Sequence, residues 1–218
     1  MEEVLRSSTW FGMDGTFRIT PKPGNIMDVR ASQVLNITAE NPGGGVVLLF
    51  SVIMTSRKIG LYKKVFKFLK QNFPHFKPPQ MMSDFELAMR KGFKSVYPTA
   101  KVYGCRFHFS KSIFAKIKGR FRLGKYLRPT GSEGQVQLSH RLRQYLGLPL
   151  LRPEHMHPEM TRLKNEIKAL VIQYCTEHEQ KAFNKLHNYI ITSWMKRLGP
   201  EEISVYGALH KTNNITER

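Results

Sequence analysis

Two aspartates, Asp14 in WFGMDGTF and Asp84 in MMSDFE, each stand where a short hydrophobic run gives out. Carboxylates at the tips of neighbouring strands can ligate divalent cations from two sides, the arrangement that two-metal phosphoryl transfer uses. Taken singly, each is as readily an ordinary turn or helix-capping acid, because Asp favours both places. The choice turns on whether the chain brings the two together.

The elements that would do so can be read from the pattern of apolar residues. Strands are expected at 9–13 leading to Asp14, at QVLNITAE (33–40) and at VVLLFSVIMT (46–55), separated by the turn-forming clusters PKPG and NPGGG. After Ser56, a candidate N-cap, Tyr62, Val65, Phe66, Leu69 and Phe73 fall on one helical face, and Pro74 helps to close that helix. Met81 and Met82 lead as a short strand into Asp84, a helix marked by Phe85, Met89, Phe93 and Val96 follows, and KVYGCRFHF reads as a further strand. Three strands followed by alternating helices and strands form an α/β mixed sheet, a meander extended by helical crossovers, which is the element order of an RNase H-like fold. In that layout the first strand lies beside the fourth, so Asp14 and Asp84 meet at one end of the sheet. The organisation expected is a core over 1–128, an all-helical insertion over 129–200 and a last segment over 201–218. Within the insertion, Leu163, Ile167, Leu170 and Tyr174 mark one helix, and Phe183, Leu186, Ile190 and Trp194 mark another.

Charge narrows the partner. Lys and Arg total 35 against 16 Asp and Glu, a formal charge of +19, which calls for a polyanion and most simply for nucleic acid. The longest apolar run, VVLLFSVIM, is too short to cross a bilayer, so no membrane partner is expected. The acidic start MEEVLRSSTW has no apolar signal region, and the two cysteines form no disulfide framework, so the expectation is an intracellular protein. From 87 to 132 there are 12 Lys and Arg and no acid. In the helix after His108, Phe109, Ile113, Ile117 and Phe121 share one side, and Lys111, Lys118, Arg122 and Lys125 take another as candidate phosphate contacts. No homeodomain, basic-zipper or complete zinc-finger pattern accompanies them.

The set DGTF at 14–17, SDFELA at 83–88, YP at 97–98 and CRFH at 105–108 resembles the transposase domain of Mutator-like elements (MULE) in order and spacing, over nearly the whole chain. The resemblance implies a DDE-type recombinase of the RNase H-like superfamily with a helical insertion before its third acid. Asp14 and Asp84 match the first two acids, and Glu217 in TNNITER is the candidate third. It further implies Mg²⁺ or Mn²⁺ in a two-metal site, DNA ends and target DNA as partners, a nuclear location, and self-association to bring two ends together. Cys105 and His108 match the family's C-x-x-H and would support the site.

Competing assignments remain for several residues. Glu86 lies two residues past Asp84 and more simply faces the positive end of a helix dipole, while Glu201 and Glu202 compete with Glu217. Cys175 and His178 form a second C-x-x-H, but the favoured reading is not a Zn²⁺ site, since one such pair supplies half of a structural set. Trp10, Phe11 and Phe17 flank Asp14 chiefly as strand core. The chain starts 13 residues before Asp14 and stops one residue after Glu217, so a truncated or inactive copy of the domain is expected. The alternatives are a transposon-derived nucleic-acid-binding protein without catalysis and an RNase H-like nuclease outside transposition.

Overall fold

The computed structural model describes residues 2–16, 20 and 30–212. Packing divides the chain into two compact units, Met1–Cys105 with Leu209–Arg218, and Arg106–Ala208. The first is α/β and the second helical. The sequence suggests boundaries at 128/129 and 200/201, whereas compactness changes at 105/106 and 208/209.

In the α/β unit a short helix α1 (Glu2–Ser7) precedes β1 (Phe11–Thr16), β2 (Gln33–Glu40), β3 (Val46–Met54), α2 (Ile59–Asn72), β4 (Gln80–Ser83), α3 (Leu87–Lys94) and β5 (Lys101–Gly104). The strands form one mixed sheet in the order β3-β2-β1-β4-β5. The meander β1-β2-β3 is antiparallel, with a bulge between Ile37 and Thr38, and β4 and β5 add in parallel on the far side of β1. A parallel neighbour requires a crossover, and α2 and α3 supply the two. Their apolar faces bury Tyr62, Phe66, Leu69, Met89 and Phe93 in a core shared with Phe11, Met13, Leu35, Ile37 and Met81. The two helices approach closely because Gly92 has no side chain: a Cβ there would lie 2.6 Å from Tyr62 Cβ.

Several boundaries differ from the sequence reading. β1 runs through Asp14 to Thr16, because β2 continues to pair with it as far as Val34. Lys58, not Ser56, is the N-cap of α2, and no side chain caps that end. β5 stops at Gly104, and the residues expected to form its second half open a helix.

The helical unit contains α4 (Arg106–Ala115), a π-helical turn (Lys116–Arg120), a 3-10 turn (Gly124–Leu127), α5 (Glu133–Gly147), α6 (Pro153–Tyr174), α7 (Glu177–Ile190) continued by a π-helical turn (Ile191–Lys196), and α8 (Pro200–Ile203). α6 and α7 carry the two expected apolar faces, with Leu163, Ile167, Phe183, Leu186, Ile190 and Trp194 buried. The sequence pattern does not announce α5. It opens on a capping box between Ser132 and Gln135 and buries Leu138, Leu142 and Tyr145, a signature that the preceding RPTGSEG obscures. The edge of the Phe109 ring on α4 meets Trp194 at 4.7 Å between centroids, which ties α4 to this unit.

Candidate active site

The register of β1 on β4 sets the geometry of the two aspartates. Met13 pairs with Ser83, the last pair of that parallel ladder, so Asp14 and Asp84 are each the next residue on adjacent strands. Side chains alternate across a sheet, which places Asp14 on the face opposite Met13 and on the same face as its antiparallel partner Asn36. Asn36 is itself paired with Ser51 on β3, whose hydroxyl donates to Asn36 Oδ1 at 2.6 Å. A polar row therefore crosses three strands and ends at Asp14.

Asp84 leaves the ladder and is held by a turn. Its Oδ1 accepts the backbone N–H of Glu86 at 3.0 Å, the Asx arrangement that lets a strand bend into a helix. The fully buried Arg90 on α3 donates to Ser83 Oγ (3.3 Å), to the Asp84 carbonyl (3.4 Å) and to the Val102 carbonyl (3.4 Å), so one guanidinium ties β4 to β5 beside the site.

Glu86 belongs to this neighbourhood more closely than a helix-dipole role requires. Tyr62 on α2 donates its hydroxyl to Glu86 Oε1 at 2.8 Å, and Gln33 Nε2 donates to the same hydroxyl. Burial first, and then the negative charges of Asp84 and Asp14, push the Glu86 carboxyl above its usual range, against the downward pull of the Tyr62 hydrogen bond and the Arg57 guanidinium. Burial, and after it Glu86, raise the Tyr62 phenol too. Glu86 thus feels the negative charge of both aspartates. Sequence reading missed Tyr62 and Gln33, which carry no motif, and undervalued Glu86.

Comparison with protein families gives a direct result: residues 10–112 match the family model of the MULE transposase domain. This segment is similar to the MULE transposase domain. The match covers a little under half of the chain, less than the near-complete coverage expected from the motifs. A search of the curated proteins finds no match.

The matched segment encloses Asp14, Asp84, Cys105 and His108. Their carboxylate oxygens make the two aspartates donors of the kind that hard divalent ions take. Among the described residues no group of three His, Cys, Asp or Glu side chains is close enough to hold an ion. Glu217, the expected third ligand, lies outside the described residues, as does Phe17. Cys105 is fully buried, and its N–H donates to the Ser83 carbonyl at 2.8 Å, which continues the β4–β5 pairing past Gly104. His108, read from the sequence as part of the strand KVYGCRFHF, follows the end of β5 by four residues. It lies in the first turn of α4, because the chain turns helical directly after Cys105. The Cys175 thiol shares a 3.2 Å hydrogen bond with the Tyr126 hydroxyl.

The candidate phosphate contacts begin inside the matched segment with Lys111 and continue beyond it. Phe109, Ile113, Ile117 and Phe121 are buried as the helical face required, and Lys111, Lys118 and Arg122 are exposed. Arg122 adopts a left-handed backbone at φ 55°. Lys125 differs from the other three, since its ammonium is paired with Glu179 at 2.5 Å. On the same unit Arg120, Phe121, Lys185, Asn188, Tyr189, Thr192 and Ser193 line a concavity of about 450 Å³ with no acid among them.

Proposed function

We propose that the α/β unit is the RNase H-like core of a DDE transposase, which cleaves DNA and joins a 3′-hydroxyl to a target strand at Asp14, Asp84 and Glu217. The observation that carries this reading is the β1–β4 register, which makes Asp14 and Asp84 neighbours within the segment similar to the MULE transposase domain. When bound by such carboxylates, Mg²⁺ or Mn²⁺ supplies an activated water or 3′-hydroxyl and charge relief for the leaving oxygen. The chain's own part is to hold the donors: β1 fixes Asp14 between β2 and β4, the Asx turn and Arg90 fix Asp84, and Asn36 supports the face on which Asp14 lies.

The path of the chain is compatible with Glu217 as the third acid. His210 hydrogen-bonds through Nε2 to Glu40 Oε2 at 2.9 Å, and its ring meets Trp10 edge-on at 4.8 Å, so the chain is anchored beside the start of β1. From Trp10 to Asp14 is four residues, about 13 Å along a strand. From His210 to Glu217 is seven residues, which span about 10 Å as helix and up to about 24 Å extended. Seven residues are enough to bring a carboxylate to the aspartates.

The helical unit would bind the DNA backbone through Lys111, Lys118 and Arg122, with Lys125 contributing less because Glu179 neutralises it. DNA ends and target are then the partners, the nucleus is the working compartment, and two protomers would hold two ends.

A second reading, DNA binding without cleavage, is favoured by one observation: the exposed cations of the helical unit would hold a phosphate backbone whether or not the acids take up metal. Plasmid nicking in Mg²⁺ or Mn²⁺ separates the two. Nicking by the wild-type chain that disappears in Asp14→Asn and Asp84→Asn supports catalysis, and DNA binding with no nicking in either metal overturns it. Transfer of a labelled 3′-end into a second DNA distinguishes a transposase from a nuclease outside transposition.

A further inference from the structure

Asp84 lies one residue beyond the ladder that aligns β4 with β1, so backbone pairing alone does not fix its carboxylate relative to Asp14. A chain of contacts does link Asp84 to Gly15, the residue after Asp14. Gln33, fully buried on β2, rests against Gly15, the residue after Asp14, and a Cβ on Gly15 would lie only 2.7 Å from Gln33 Oε1. The amide can sit there only because residue 15 has no side chain. From that contact the path runs outward: Gln33 Nε2 donates to the Tyr62 hydroxyl, the Tyr62 hydroxyl donates to Glu86 Oε1, and the Glu86 N–H donates to Asp84 Oδ1. It passes from β1 through β2 and α2 to the β4–α3 turn, and no step uses the sheet's own hydrogen bonds.

We propose that Gln33, Tyr62 and Glu86 form a positioning brace that sets the Asp84 carboxylate relative to Asp14 for cation binding. This rests on the reading of the two aspartates as a cation site. Folding by itself gives little reason for such a chain. Gln33 Oε1 is buried without a hydrogen-bond partner among the described residues, and an unpaired buried carbonyl loses its hydration for nothing in return. An apolar side chain would fill the space beside Met54 and Tyr62 without that penalty. Local rules broken next to a candidate site are where positional demands outweigh stability. The three residues lie far apart in sequence, and together they join Gly15, next to Asp14, to Asp84.

The test uses the full chain and the variant Tyr62→Phe, which removes one oxygen and keeps the ring. Two quantities are read: Mn²⁺ affinity by electron paramagnetic resonance titration, and hydrogen exchange of the Glu86 amide, the proton bonded to Asp84. Tyr62→Phe is expected to weaken Mn²⁺ binding about tenfold and to speed Glu86 exchange by a similar factor, while the Phe93 amide in the same helix keeps its rate. Glu86→Gln, which retains an acceptor for Tyr62, is expected to keep the Glu86 amide protected. An unchanged Glu86 exchange rate in Tyr62→Phe overturns the brace, as does equal acceleration of Phe93, which would mean that the helix had merely loosened. If the wild-type chain takes up no Mn²⁺, the cation reading falls, and with it the purpose given to the brace, whereas weak uptake that Tyr62→Phe leaves unchanged overturns the brace alone. Should Tyr62→Phe fail to fold, Gln33→Met, which removes only the amide, is measured in the same two ways, and the same results support or overturn the brace.

Discussion

In the α/β unit the charged groups that matter are few, partly or fully buried and held by hydrogen bonds: Asp84 to the Glu86 amide, Glu86 to Tyr62, and Arg90 to three oxygens on or next to β4 and β5. In the helical unit the cations are many and solvated. Lys118 and Arg122 are exposed and make no ion pair among the described residues, and Lys111 only overhangs the Phe107 ring at 5.6 Å. The contrast follows from what each set would handle. A cation and a reacting phosphorus need donors fixed to a fraction of an ångström. A phosphate backbone needs net positive charge, which screened and mobile side chains provide without exact placement. If this is right, single conservative changes should be decisive in the first unit and nearly additive in the second.

The largest expected effect is Asp84→Asn or Asp14→Asn. Each keeps the shape and removes a charge, and each should lower nicking by at least ~1,000-fold with DNA affinity within about twofold of wild type. Comparable losses of both would mean that the aspartates support folding or binding instead. The next is the triple replacement of Lys111, Lys118 and Arg122 by Ala. Each lost phosphate contact should lower the slope of log affinity against log salt by about one, hence by about three in all. Turnover at saturating DNA should not change. A slope that stays put would show that these cations face away from the nucleic acid.

Third comes packing within the α/β unit. Gly92→Ala forces a methyl group against Tyr62 Cβ at 2.6 Å, and overpacking of this kind costs about 1–3 kcal/mol. Because Tyr62 also holds Glu86, the variant should weaken Mn²⁺ binding along with stability in urea unfolding. A loss of stability with Mn²⁺ affinity intact would separate α2–α3 packing from the site.

The same contrast governs how much the sequence disclosed. β2 begins and ends where its alternation says, at 33 and 40, and the adjacency of β1 and β4 is legible only through the layout that the element order resembles, because a meander leaves both β1 and β3 open to a fourth strand. The segment after Cys105 misleads because Arg106, Phe107, His108 and Phe109 alternate polar and apolar, a period of two too short to exclude one turn of helix. α5 is hidden for the opposite reason, a real apolar face diluted by Gly134, Gln135 and Gln137. Asp14 and Asp84 are legible as a pair since backbone register places them. The links among Gln33, Tyr62 and Glu86 are not, since each partner looks ordinary on its own element and only tertiary packing joins them.

The smallest expected effect sets the two units against each other through pH. Glu86 has its carboxyl raised above 4.5 by burial and by Asp84 and Asp14, so the folded state holds that proton more tightly than the unfolded chain. Its contribution is fully present below the unfolded value and is lost as pH rises through the folded one. Glu179 behaves in the opposite sense. Burial raises its carboxyl, but Lys125, the Thr176 backbone and hydroxyl, and Tyr126 outweigh that and bring it to about 2, so its contribution is present above 4.5 and is lost as pH falls toward 2. Glu179 is partly solvated, which makes its share modest. Glu86→Gln should therefore stabilise the α/β unit at pH 7 and converge on wild type below about pH 4.5. Glu179→Gln should destabilise the helical unit at pH 7 and converge near pH 2. Urea unfolding followed by Trp10 or Trp194 fluorescence, each in a variant lacking the other tryptophan, reads each unit by itself. Shifts of the same sign would mean that the Glu86 carboxyl is held by attraction, and that the two aspartates do not press on it.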